Sequence, residues 1–400
     1  MFYKETNFKE TPIGKIPKDW EVVRLDDIIS LEYGKGLSER ERISGRYPVV
    51  GSNGIVGYHG QALVKGPGIV VGRKGTIGAV TWLNSDFWPI DTTYYVKLKK
   101  EQINWKWLFF ALIKLNLPKL RLSDVVPGLK RELAYSLKLP LPRFSEQCKI
   151  AEVLSTVDEA IRRTGEVIAK TERLKKGLMQ TLLTRGIGHK EFKDTEIGRI
   201  PKEWEVVKLK DVVEVNKESK DPAREMPNET FIYVDIDSVE EATGKIRNPK
   251  RILGKEAPSR ARRVIHENDV IMSTVRPYLK AFAVIPRELD NQICSTGFAV
   301  LSCRNDILPY FLLNILFSDR VINQCNRMMV GGQYPALNQS QVSEIKIPLP
   351  PIYEQQKIAE ILLTIDKKLE IERNEKAKLE RIKQGLMDLL LTGKIRVKVA

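Results

Sequence analysis

The sequence predicts an α+β protein: two β-rich globular domains separated by two long antiparallel helices that form a coiled coil, the whole being a pseudo-twofold internal repeat. Three observations lead there. FKETPIGKIPKDWEVV at 8–23 returns as FKDTEIGRIPKEWEVV at 192–207. LKLPLPRFSEQCKIAEVLSTVDEA at 137–160 and GLMQTLLT at 177–184 return at 345–368 and 385–392 as IKIPLPPIYEQQKIAEILLTIDKK and GLMDLLLT, shifted further along the chain than the first phrase is. Between the echoes, β-branched and aromatic runs alternate with glycine-containing turns in two stretches that do not resemble each other. A duplicated frame around inserts unlike in sequence and in length implies one machine with two different working parts.

Each repeat opens with an extended segment through Pro17 and Trp20, or Pro201 and Trp204, into the apolar runs WEVVRL and WEVVKL, which read as strands. In the first insert YPVVGSNGIVGYHG, GIVVGRKGTIGAVTW and FWPIDTTYYVKL read as short strands joined by tight turns. After Asn104 the pattern becomes helical in WKWLFFALIKL, with Pro118 expected to end it. In the second insert FIYVDI, DVIMSTV, KAFAVI and TGFAVLSC read as strands, and YFLLNILFSDRVINQCNRMM as one helix before the turn Gly331-Gly332.

The two long helices follow proline-rich turns, LPLPRF and LPLPPIY, since proline cannot continue a helix backwards. Apolar residues recur, over much of both lengths at alternating steps of three and four: Ile150, Leu154, Val157, Ile161, Ile168, Leu174, Leu178 and Leu182 on the first, Ile358, Leu362, Ile365, Leu369, Leu379, Ile382, Leu386 and Leu390 on the second. Such a stripe suits a coiled coil in which one repeat packs on the other. Roughly 40 residues at about 1.5 Å each give rods of about 60 Å. The linker Arg185–Glu191 spans at most roughly 25 Å, too short to cross a rod, so the second helix should run back along the first. The expected domains are 1–144, a helix at 145–187, 188–352, and a helix at 353–400.

Sixty-six Lys and Arg against 51 Asp and Glu leave a net charge of +15, which favours a polyanionic partner. The four cysteines, Cys148, Cys294, Cys303 and Cys325, lack zinc or disulfide spacing and are expected to be buried, reduced thiols. Met1–Trp20 is polar and no apolar stretch is long enough to span a bilayer, so a cytoplasmic protein without membrane contact is expected.

Catalytic patterns are missing. GPGIVVGRKGT does not keep Walker spacing, because Gly75 follows Lys74. His59, His189 and His266 carry no nucleophile motif, and there is neither an Asn-Pro-Pro-aromatic motif nor a convincing S-adenosylmethionine loop. The positive charge instead nominates a nucleic-acid surface: Lys35, Arg40, Arg42, Arg73, Lys74, Lys119 and Arg121 in the first insert, and Arg260, Arg262, Arg263, Arg276, Lys280 and Arg327 in the second. Arginine grips phosphate or forks onto guanine, and residue type does not separate the two. Asn53 in a Gly-Ser-Asn-Gly turn, and Gln333 and Tyr334 beside Gly332, complete the candidates, since Asn and Gln pair with adenine. A self-contained DNA methyltransferase or nuclease, and a purely structural coiled-coil adaptor, are the competing readings.

The openers IGKIPKDWEVVRL and IGRIPKEWEVVKL, the LPLP-x-x-x-EQ-x-KIAE-x-L helix starts and the GLM-x-x-LLT endings resemble the specificity subunit of type I restriction-modification systems over essentially the whole chain. The resemblance implies a DNA-binding subunit without catalysis of its own. Its unlike inserts would be target recognition domains that each read half of a split double-stranded DNA sequence, and its helices would fix the unread spacer. Two methyltransferase (modification) subunits would dock on the frame and restriction subunits would join them. S-adenosylmethionine, ATP and Mg would belong to those partners, none to this chain. Base-reading residues do not carry over, because they lie in the variable inserts.

Overall fold

The computed structural model of the protein describes residues 2–120, 128–329 and 335–398. The chain divides into two compact units, Met1–Val167 with Glu372–Ala400, and Ile168–Ile371. Each unit therefore holds one β-rich domain and part of each long helix.

The repeated phrases pair with each other inside each unit. Glu21–Arg24 lies antiparallel to Lys138–Leu141, and Glu205–Lys208 to Lys346–Leu349. The LPLP segments expected as turns are thus strands. A two-stranded ribbon is all edge, so the N–H that Pro140 and Pro348 lack is tolerated there. One helical turn follows each opening strand, Leu25–Ile28 and Leu209–Val212. Trp20 and Trp204 are wholly buried beside these ribbons.

The unlike inserts share a scaffold. In the first, an antiparallel sheet orders its strands Ile29–Tyr33, Thr93–Leu98, Gly68–Gly72, Val80–Leu83. In the second, Val213–Val215, Phe298–Cys303, Val270–Ser273 and Phe282–Val284 take the same order. A second sheet is matched as well: Tyr47–Gly51 lies between Gly54–His59 and the parallel Trp88–Pro89, as Thr230–Val234 lies between Lys250–Leu253 and the parallel Gln292–Ser295. The second domain's copy of this sheet carries a further strand, Ala261–Ile265, beside Gln292–Ser295, and the connections differ as well. Ser52-Asn53 closes the first hairpin, whereas residues 235–249 fill the same place in the second and hold a small ribbon, Val239–Glu240 with Lys245–Ile246.

Helix Trp105–Lys114 ends ahead of Pro118, which falls in a 3-10 turn, Leu117–Leu120. The run expected as one helix at 310–329 is two, Pro309–Leu316 and Asp319–Met328. Ser318 divides them by capping the second: its side chain accepts from the Val321 N–H, an alternative to continuing the first helix.

The long helices span Phe144–Arg185 and Ile352–Leu390, about 63 and 58 Å at about 1.5 Å per residue. Asp158 pairs with Lys383 at 2.5 Å and Gly165 abuts Lys376 in the first unit, while Lys175 pairs with Asp366 at 2.5 Å in the second. Numbers rise on one helix as they fall on the other, so the pairing is antiparallel. The apolar stripe is buried where it enters a domain core: Ile150, Leu154 and Leu390 in the first, Leu182, Ile358 and Leu362 in the second. Leu369 is also buried, but Val157, Ile161, Ile168, Leu178, Ile365, Leu379 and Leu386 are half-buried, and Leu174 and Ile382 are exposed, so the stripe is not a continuous seam. Two helices alone cannot enclose a seam, and the flanking ion pairs cover part of it.

Candidate nucleic-acid interface

Each unit is tied together at one buried junction built from the repeated residues. The Trp20 indole N–H donates to Glu146 at 3.0 Å, and that of Trp204 to Glu354 at 2.9 Å. The next residue locks the helix start to the domain. Gln147 donates to the Pro142 and Gln102 carbonyls and accepts from the Asn104 N–H; Gln355 donates to the Pro350 and Asp306 carbonyls and accepts from the Leu308 N–H. The Glu-Gln pair seen twice in the sequence is therefore the joint between helix and domain.

The charge partner of the buried glutamate differs between the units. Arg396 bonds Glu146 through Nε and Nη2 at 2.7 and 2.8 Å, and reaches Asp19 and Glu5 as well. The guanidinium holds the Asp19 carboxyl below the ordinary range. In the second unit His189 Nε2 lies 2.9 and 3.0 Å from the two Glu354 oxygens, and Nδ1 lies 3.8 Å from Glu203. An ionised carboxylate only accepts, so Nε2 carries a proton. Gly393 and Gly186, both with positive φ, let the end of the opposite long helix approach: a Cβ there would meet Pro17 Cγ at 2.4 Å or Glu354 Oε1 at 2.4 Å. Arg396 was not singled out by sequence and His189 was weighed there only as a catalytic histidine; Glu146, Gln147, Glu354 and Gln355 were visible only as the twice-written Glu-Gln of the helix starts.

In the first domain the hairpin tip and the basic turn meet. Exposed Asn53 stands beside Ser52, whose Oγ is 3.0 Å from where a Gly75 Cβ would lie, next to exposed Lys74. Arg73 donates to the Asp91 carbonyl at 2.7 and 3.2 Å, and the backbones of Arg73 and Lys74 both bond the Thr92 carbonyl. Exposed Lys35 is held by backbone bonds to Pro89 and Trp88 Nε1. Arg42 is spent on structure: it donates to the Val56 carbonyl at 2.9 Å beneath Gly57, where a Cβ would strike it. Arg40 is exposed on the turn Glu39–Glu41, and Lys119 is exposed on the turn packed against Gly78. Arg121 lies outside the described residues. Tyr33 and Arg131, which sequence did not single out, stand beside Arg73, with both guanidiniums over the Tyr33 ring.

In the second domain the candidates divide by role. Arg260 is exposed, while Arg262 pairs with Asp221 at 3.3 Å where the strand Ala261–Ile265 shifts register. Burial pulls the Arg263 pKa down. Arg276 and Lys280 both hold left-handed backbone, φ +48° and +58°, around the turn Pro277–Leu279. Non-glycine residues in that region store strain and tend to mark functional loops. Lys280 caps a helix end, donating to the Phe317 carbonyl at 2.8 Å, and Arg327 is exposed on its helix. Gln333 and Tyr334 lie outside the described residues.

His59 is buried and accepts from the Ile43 N–H at 3.0 Å. His266 sits between Glu218 and Asp290; burial opposes its protonation, but the surrounding carboxylates raise its pKa. All four cysteines are free, but only Cys294 and Cys325 are buried as expected, Cys148 and Cys303 being half-buried; desolvation pushes the Cys303 and Cys325 thiols up to about 12. Among the described residues no group of three or more His, Cys, Asp or Glu could hold a metal ion, and no helix is long and apolar enough to cross a membrane.

Comparison with known proteins places these features in context. The family described as "Type I restriction modification DNA specificity domain" matches residues 17–173 and 201–381. The type I restriction enzyme MjaVIII specificity subunit of Methanocaldococcus jannaschii is 31% identical over 100% of this chain and 98% of its own length. A putative type I restriction enzyme MjaX specificity subunit of the same organism is 29% identical over 100% and 99%. A type I restriction-modification S subunit from M. genitalium, 17% identical, superposes over 93% of this chain and 96% of its own with a TM-score of 0.63, a likeness of fold.

Proposed function

Since the chain belongs to the type I restriction-modification DNA specificity family, we propose that it is the sequence-reading subunit of such a complex and performs no catalysis itself. The domains at 1–144 and 188–352 each read one half of an asymmetric bipartite site in double-stranded DNA. The long helices, expected at 145–187 and 353–400 and spanning Phe144–Arg185 and Ile352–Leu390, set the spacer and, with the junctions, seat two methyltransferase subunits, to which restriction subunits add. S-adenosylmethionine, ATP and Mg belong to those partners, and the complex works in the cytoplasm.

One observation carries this reading: a four-stranded sheet of the same order and the same Trp–Glu–Gln junction recur in both domains around connections that differ. The duplicated parts suit two equivalent partner seats, and the divergent connections suit two different half-sites. Co-expression with the neighbouring modification subunit, followed by genome-wide mapping of methylated bases, tests it. A single asymmetric two-part motif with a fixed gap is expected. A continuous motif, or no methylation above background, refutes the reading.

A further inference from the structure

The first domain carries a cationic cluster that no carboxylate among the described residues pairs with. Tyr33 ends the strand Ile29–Tyr33 and is 51% exposed. The Arg131 guanidinium lies 4.6 Å from its ring centroid and that of Arg73 lies 5.1 Å away. Both are fixed from behind by carbonyls: Arg131 Nη1 donates to Leu31 at 3.3 Å and Arg73 to Asp91 at 2.7 Å. Among the described residues no carboxylate forms an ion pair with either one, and exposed Lys74 adds a third charge alongside. Arginine stays protonated, so two guanidiniums gathered on one ring repel each other until an anion joins them.

We propose that Tyr33, Arg73 and Arg131 form a phosphate-gripping site that sets the register of the first domain on duplex DNA without reading a base. The site rests on the DNA-reading function proposed above. Backbone phosphate fits better than a base edge because each guanidinium lies over the tyrosine with inner N–H groups engaged. A major-groove reader must instead extend its fork to guanine. Cation–π contact with Tyr33 preserves the charge while fixing its position.

The second repeat supplies the control. When the two LPLP phrases are aligned, Gln339 stands where Arg131 does. Its Nε2 donates at 3.1 Å to the Val215 carbonyl, and aligning the two openers matches Val215 to Leu31. The anchor is therefore duplicated and the charge is not; Lys217 stands where Tyr33 would be. Glutamine at position 131 is accordingly a substitution this scaffold already accommodates.

The full chain is assembled with its modification subunits, and binding to a duplex carrying the mapped site is followed against salt concentration. Arg131→Gln and Arg73→Gln are each expected to make the slope of log affinity on log salt shallower by about 0.9, the value of one phosphate contact, with the methylated motif unchanged. Arg131→Lys restores most of the slope, while Arg24→Gln, at an arginine paired with Asp26, leaves it unaltered. Wild-type slopes in both Gln variants overturn the site, and so does a changed first half-motif, which would make these residues base readers. If the wild-type complex methylates no bipartite site, the parent reading falls and this site with it.

Discussion

Arg396 is only 10% exposed at its side chain and faces three carboxylates, of which Glu146 is 3% exposed. Removing the guanidinium leaves Glu146 buried with the Trp20 N–H as its remaining side-chain donor among the described residues. Arg396→Met should therefore cost about 3–5 kcal/mol, the usual penalty for orphaning one member of a buried pair. Adding Glu146→Gln should recover part of it, because the neutral amide no longer needs a cation; thermal or urea unfolding measures both. The acid dependence has a definite sign. The Asp19 carboxyl is depressed chiefly by its bond from Arg396, so its contribution is complete above the unfolded value of about 3.9 and is lost as pH falls through the folded value. The gap between wild type and Arg396→Met should narrow below about pH 4. A gap that stays constant between pH 7 and pH 3 would contradict the assignment. At Gly393, where φ is +71° and a Cβ would lie 2.4 Å from Pro17, alanine should cost more than about 1 kcal/mol, read as a lowered Tm.

Among the elements, the long helices were the most legible in sequence, because a proline-free run with a sustained apolar period has few other structural solutions. The LPLP strands were not legible: local proline chemistry pointed to turns, and their partners at Glu21–Arg24 and Glu205–Lys208 lie far away along the chain. The break at Ser318 was hidden inside a continuous apolar run, where one N-cap outweighed the period. Of the candidate site, Arg73, Lys74 and Asn53 were visible as charge and turn chemistry, but Arg42 carried the same signal while bracing a hairpin. Tyr33 and Arg131 are distant in sequence and meet only because the helix Arg131–Tyr135 packs beside the strand Ile29–Tyr33. The helix register also gives the proposed spacer a test. Positions 158 and 383, 165 and 376, and 175 and 366 face each other, so a deletion must be matched on both strands of the pair. Removing 166–172 and 369–375 takes two turns, about 10 Å, from each rod while keeping the stripe nearly in phase. Duplex DNA rises about 3.4 Å per base pair, so the unread gap should shorten by about three base pairs. Methylation mapped on targets with graded gaps reads the result, and a gap unchanged from wild type would remove the ruler role.

For the molecule as a whole, the duplicated junctions show that the two repeats are closed by different kinds of connection. In the second unit, chain continuity joins the end of the first long helix, through Gly186 and His189, to the opener that carries Trp204. In the first unit the corresponding join is made without a covalent bond: Ile395–Val397 from the end of the second helix pairs antiparallel with Phe2–Lys4, Phe2 facing Val397, and Arg396 completes the junction. Within the first unit the ribbon thus does what the chain itself does within the second. A permuted chain that links the C-terminal segment to residue 2 and opens between Lys190 and Glu191 should fold, since Ile187, His189 and Glu354 keep their contacts on one side of the cut. It should give the wild-type methylated motif with the wild-type gap when assembled with modification subunits, at a Tm lowered by the lost tether in the second unit. The same cut without the new link tests the terminal ribbon. If that ribbon and the Arg396 bonds suffice, the two fragments, 1–190 and 191–400, should reassociate and restore the motif. Failure of both the permuted and the split chain would show that covalent continuity at 186–191 holds the second junction together, and that the two closures are not interchangeable.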